Sequence, residues 1–241
     1  MATLRRAWWL SKMELKLSVK NYLTIILLAV IYTFFLRVTI ADYLESSFFL
    51  VDVLLIFYLV TTPFSTKPKA LQYQKVNDGL FATPYFSMLY QLPIKRAAII
   101  TSRFIVLYVA IIVSTTFLFT MTYLTSSVLR ETIAIPQFLA LMLIWICISM
   151  AIGGLFPASD PGDKIKRFTM FWSYMTIIIF FVALYIIFPL WFDTGLLNWT
   201  IYLANEHTII SIFAFLTLAG LCTWQWFRVA LKRLKTIDYL D

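Results

Sequence analysis

An all-α membrane protein with six transmembrane helices is the fold class that this sequence predicts, and three observations predict it. Hydrophobic residues fill 61% of the 241 positions and charged residues only 13%, against roughly half and a quarter in soluble domains. Six stretches are apolar over about the 20 residues a helix needs to cross a bilayer. Of the 20 Lys and Arg residues, all but Arg37 and Arg130 fall on one side of the resulting zigzag. The positive-inside rule puts that side, with both termini, in the cytoplasm.

The spans read as residues 22–41, 48–64, 104–126, 137–156, 168–190 and 208–227. Pro63 marks the cytoplasmic end of the second. Arg5, Arg6, Lys12, Lys16 and Lys20 precede the first span. Lys67, Lys69, Lys75, Lys95, Arg96 and Arg103 follow the second. Lys164, Lys166 and Arg167 follow the fourth, and Arg228, Lys232, Arg233 and Lys235 the sixth. The opposite side holds Asp42, Glu45, Glu131, Asp193 and Glu206. The net charge of +8 is therefore a topogenic signal, and no nucleic-acid partner is implied. Basic residues run from Arg5 to Lys20 without an Ala-x-Ala-like exit, so the first span is expected to stay in the mature protein. No lipidation motif is expected to act at either end. Cys147 and Cys222 sit in apolar runs and read as free thiols.

Residues 4–20 lack Pro and Gly and carry a basic stripe beside Trp8 and Trp9. That pattern predicts an interfacial helix along the inner leaflet, with membrane lipid as its partner. The connection 65–103 has an apolar pattern of its own: Leu80, Phe81, Tyr85, Phe86, Met88, Leu89 and Leu92. Turn signals bracket it at Asn77-Asp78-Gly79 and at Leu92-Pro93. At least one short cytoplasmic helix is predicted. Its apolar residues either pack on the inner ends of the spans or dock into another protein. Residues 191–207 are semi-apolar, and either dip into the outer leaflet as a re-entrant helix or lie on it.

Catalytic chemistry has little to stand on. His207 is the only histidine, so neither a multi-His metal site nor a His-based relay of several histidines is available. The central thirds of the spans carry no Asp, Glu or Lys, which ion-coupled transport would need. Hydroxyls and aromatics are the candidates for a substrate path: Tyr58, Thr61, Ser114, Thr115, Thr120 and Tyr174. The competing reading is that Ser and Thr bond to their own helix. Arg37 and Asp52 lie at similar depth near the outer ends of the first two spans. They are a candidate ion pair, with a snorkelling Arg37 as the alternative. Gly153-Gly154 with Pro157 is read as a helix stop.

Taken with this layout, the run Leu92-Pro93-Ile94-Lys95-Arg96 before the third span resembles the permease subunit of type-2 ABC exporters, the architecture shared with G-family exporters. In that family a Leu-Pro-Ile/Val-Ser-Arg run is common there; here Lys95 replaces the Ser. The resemblance implies that the predicted loop helix is a coupling helix, with residues 77–92 as the main contact with an ABC ATPase subunit. It assigns ATPase coupling to Leu80, Phe81, Tyr85, Phe86, Met88, Leu89, Pro93, Lys95 and Arg96. A second, smaller contact falls at Asp160, Asp163 and Lys164. It also implies a dimer with a second permease copy or homologue in a bacterial cell membrane. Some such proteins export small amphipathic peptides, others lipids, glycans or drugs. None of the six glycines has Walker A spacing, so ATP and Mg would be bound by the partner and this chain would hold no cofactor. The alternative is a non-transporting membrane scaffold that uses the same loop to hold a cytoplasmic partner.

Overall fold

In the computed structural model, the described residues are 2–46, 50–68, 72, 74–77, 80–164, 167–183, 186 and 188–236. They are mostly helical. Helix α1 (Ala2–Leu17) turns at Ser18 into α2 (Val19–Ser46), and α3 (Leu50–Ser65) follows. A hairpin of β1 (Gln74–Asn77) and β2 (Leu80–Ala82) leads through the short helix α4 (Pro84–Tyr90) into α5 (Arg96–Thr125). Next come α6 (Ser127–Thr132), α7 (Ile135–Gly153), α8 (Leu155–Ser159), β3 (Asp163–Lys164) and α9 (Arg167–Val182). The chain ends with α10 (Phe188–Phe192), α11 (Leu196–Glu206) and α12 (Thr208–Thr236).

Four helical stretches are long and apolar enough to cross a membrane: Val19–Ser46, Arg96–Thr125, Ile135–Ser159 and Thr208–Thr236. The protein is therefore membrane-embedded. The second predicted span corresponds to α3, apolar but only 16 residues long. The fifth covers α9 and α10, with residues 184, 185 and 187 between them outside the described residues. Helix α5 starts at Arg96, eight residues before the predicted third span, and α12 runs nine residues past the predicted sixth to Thr236.

Two hydrophobic cores share α5. One joins α2, α3, α5, α7 and α11 around Tyr58, Leu118, Trp145 and Ile201; the other joins α1, α4, α5, α8 and α12 around Leu10, Phe86, Ile100 and Leu234. Gly153-Gly154 is not a stop. Gly154 keeps right-handed helical angles, φ −57° and ψ −19°, and helix continues as α8 to Ser159. A Cβ on Gly154 would meet the Trp226 ring, 3.0 Å from Cγ, so the glycine lets α12 close on α7. The Trp226 indole then donates to the Ala151 carbonyl at 2.9 Å.

The short helix predicted in the loop is α4, Pro84–Tyr90. Thr83 before the proline is extended, φ −84° and ψ 120°, as a residue ahead of Pro tends to be, and Pro84 occupies the first turn, where no N–H is needed. Upstream, β2 pairs antiparallel with β1 and with β3, giving the order β1-β2-β3. Leu80 stands opposite Lys164 and Phe81 opposite Asp163. The sheet thus joins the loop to the turn that follows α8. Cys147 and Cys222 are free thiols.

Candidate functional site

Four charged residues from four separate segments meet beneath the basic ends of the helices. Arg103, on the first third of α5, donates from Nε to Asp160 Oδ2 at 2.7 Å and from Nη1 to Glu14 of α1. Lys67, just after α3, donates to Asp160 Oδ1 at 2.7 Å. Thr83, ahead of α4, donates its hydroxyl to the same oxygen at 3.3 Å and its amide to the Asp160 carbonyl at 3.3 Å. The side chains of Arg103, Glu14 and Asp160 are 1%, 2% and 2% exposed, and that of Lys67 is 13% exposed. Two cations and two anions cancel, which is the condition for burying them at all.

Local sequence explains each placement. On α1, Ala7, Leu10, Ser11, Glu14 and Ser18 recur at spacings of three and four and form the buried face. The small side chains of Ala7 and Ser11 let α1 approach α5, where Ser11 donates to the Ser102 carbonyl at 3.1 Å. Asp160 follows α8 directly, so the end of that helix carries it to Arg103. The void enclosed among Glu14, Lys67, Arg103 and Asp160 measures only about 10 Å³. The cluster is therefore a clamp and not a ligand pocket.

Burial alone would raise the Asp160 carboxyl, but Arg103 and Lys67 outweigh it and hold it below its ordinary 3.8. Glu14 behaves oppositely: burial lifts it above 4.5, Arg103 only partly offsets this, and the Asp160 charge adds to it. Burial likewise lowers Lys67, against the pull of Asp160. Asp160 thus contributes stability that is present above pH 3.8 and is lost as pH falls through its depressed folded value. Glu14 has the reverse sign, with stability withdrawn as pH rises through its raised value. Asp160→Asn is expected to lower the melting temperature in detergent at neutral pH and to remove the Asp160 part of the acid-side loss. An acid limb identical to wild type would contradict this assignment.

The predicted coupling residues separate into two sets. Phe86 and Leu89 are buried, 0% and 2% exposed, in the core with Leu10, Ile100 and Leu234. Asp160 is buried in the clamp. These three are not partner contacts, because the chain's own helices consume their surface. Met88 is 55% and Leu92 46% exposed; Gln91, Pro93, Lys95 and Arg96 are also exposed, and Phe81 and Tyr85 half-buried. The side chains of Leu80, Asp163, Lys164 and Tyr174 lie outside the described residues.

The substrate-path candidates are largely occupied in helix packing. Tyr58 is buried and donates to the Ser114 carbonyl on α5 at 3.1 Å. Thr61 and Ser114 bond to carbonyls of their own helices, at Phe57 and Ile111. Thr115 is buried and its hydroxyl has no hydrogen-bond partner, while Thr120 is half-buried.

Asp52 does not pair with Arg37, which lies on an exposed face. Its oxygens accept instead from the Leu196 amide at 2.8 Å and the Leu197 amide at 2.9 Å, the first amides of α11. Tyr43 of α2 donates to Asp52 at 2.8 Å. A carboxylate at a helix N-terminus satisfies unpaired amides and meets the positive end of the helix dipole. At Gly195 a Cβ would lie 2.7 Å from Asp52 Oδ2, so the cap requires glycine there. The helix fixed in this way packs against α7, where the Trp145 indole donates to Thr200 at 3.1 Å. Residues 191–207 are thus helical over Leu196–Glu206 and built into the bundle.

Fold and site together define a membrane-embedded helical protein whose N-terminal helix, loop and post-α8 turn are clamped to α5 by buried charge. Comparison of the chain with protein-family models, curated proteins and solved structures found no match.

Proposed function

We propose that this chain is the transmembrane permease subunit of an ATP-driven ABC exporter, moving an amphipathic or apolar cargo outward. The observation that carries the reading is the buried Glu14–Arg103–Asp160–Lys67 clamp. It makes one body of α1, the α4 loop, the β-sheet and the inner end of α5, so a force applied to α4 reaches the bundle without loss in a flexible tether. The exposed side chains of Met88, Gln91, Leu92, Pro93 and Lys95 beside that body give an ATPase subunit its place to push. The central thirds of the long helices hold no Asp, Glu or Lys, which favours an energy source outside the bundle. In this reading α3 and α9 complete six spans in the cell membrane, both termini are cytoplasmic, and two permeases stand over two ATPases that bind ATP and Mg.

Co-purification with an ATPase subunit tests the proposal. Met88→Asp with Leu92→Asp is expected to weaken partner binding tenfold or more, on the order of a lost interface hot spot, while the melting temperature of the chain stays unchanged. Phe86→Ala is expected to act on the fold, at about 3–5 kcal/mol. ATP hydrolysis by the partner that is stimulated equally by wild type and by the Met88/Leu92 variant would refute docking at this surface.

A further inference from the structure

A cleft of about 500 Å³ opens between α5 and α12, with Phe104 and Tyr108 on one wall and Leu216, Gly220, Trp224 and Phe227 on the other. Its lining is almost wholly apolar, and its hydroxyls are satisfied within the protein, Tyr108 bonding to Thr223 and Thr101 donating to the Ala97 carbonyl. From Leu216 to Phe227 the α12 wall rises about 16 Å, close to the roughly 15 Å of half a bilayer's hydrocarbon. At the basic end stands Arg228, whose guanidinium lies 3.6 Å over the ring of Trp224. That stacking fixes the plane of the guanidinium, and its exposed position leaves N–H donors facing outward. Helix α12 carries no Asp or Glu, and its last turns add Lys232 and Lys235.

We propose that this cleft binds one acyl chain of an anionic phospholipid from the leaflet on the basic side, with the headgroup phosphate on Arg228. The apolar trough alone would accept any hydrocarbon. The stacked cation at its mouth, in a helix without acids, selects a negatively charged headgroup.

Gly220 supplies a selective test. A Cβ built there meets no atom within 4 Å, so Gly220→Leu projects into the cleft without striking the protein, and Gly220→Ala serves as its small control. The purified full chain is titrated with phosphatidylglycerol or phosphatidylcholine in detergent, and bound lipid is counted by native mass spectrometry. Wild type and Gly220→Ala are expected to retain one phosphatidylglycerol more than Gly220→Leu, with similar melting temperatures. Arg228→Gln is expected to keep the acyl chain but lose about tenfold of the preference for phosphatidylglycerol. Equal retention by wild type and Gly220→Leu, or no headgroup preference in wild type, overturns the proposal. So does a Gly220→Leu chain that keeps its lipid but dissociates from a second copy, since the cleft is then an interface between protomers.

Discussion

Arg103→Met will destabilise the folded protein by about 3–5 kcal/mol, the cost of removing one partner from a buried charge network. The substitution preserves much of the side-chain volume but leaves Glu14 and Asp160 without the cation between them. Lys67 already serves Asp160 through its other oxygen and cannot also reach Glu14 in the same geometry. The Glu14→Gln, Arg103→Met, Asp160→Asn triple variant will recover most of the loss. It removes both anions with the cation, and the less buried Lys67 can turn toward water. Thermal unfolding in detergent separates the cases. A single Arg103→Met variant within about 1 kcal/mol of wild type would show that the clamp does not hold the inner core.

Asp52→Ala will cost about 3 kcal/mol by orphaning the Leu196 amide and the Tyr43 hydroxyl, at roughly 1–3 kcal/mol for each buried donor, while the Leu197 amide keeps the Tyr43 oxygen as acceptor. Asp52→Asn will lose less, because its carbonyl oxygen still accepts from one amide. Arg37→Gln will leave stability unchanged. This contrast distinguishes the helix cap from an Arg37 ion pair, which would make the Asp52 and Arg37 variants equally damaging. Loss of the cap frees the start of α11, so the Trp145–Thr200 contact will loosen with it. Tryptophan fluorescence and melting in detergent report both effects. An Asp52→Ala protein as stable as wild type would remove the capping role.

Hydropathy showed where the long helices run because twenty apolar residues in succession have one economical use in lipid. The loop was legible as an apolar element, but sequence alone left packing on the ends of the spans level with docking into a partner. Phe86 and Leu89 look like partner contacts until α12 is seen to continue beyond its apolar span to Leu234 and cover them. Asp52 was visible as an oddity, yet its partners lie 144 and 145 residues away, beyond what pairing two adjacent spans suggests. Glu14 was the overlooked signal. A lone acid on a strongly basic helix, in phase with Ala7, Leu10, Ser11 and Ser18, marks an inward face.

The clamp also has a time order. Arg103 is synthesised 89 residues after Glu14, and Asp160 a further 57 residues on. Until Asp160 emerges, Lys67 and Arg103 face a single acid, so in the proposed topology the nascent cytoplasmic face would carry excess positive charge while the early helices insert. In that topology the charges that orient the first half of the bundle would be neutralised only when its second half arrives. What would serve first as a signal for insertion then serves as the joint that closes the finished fold.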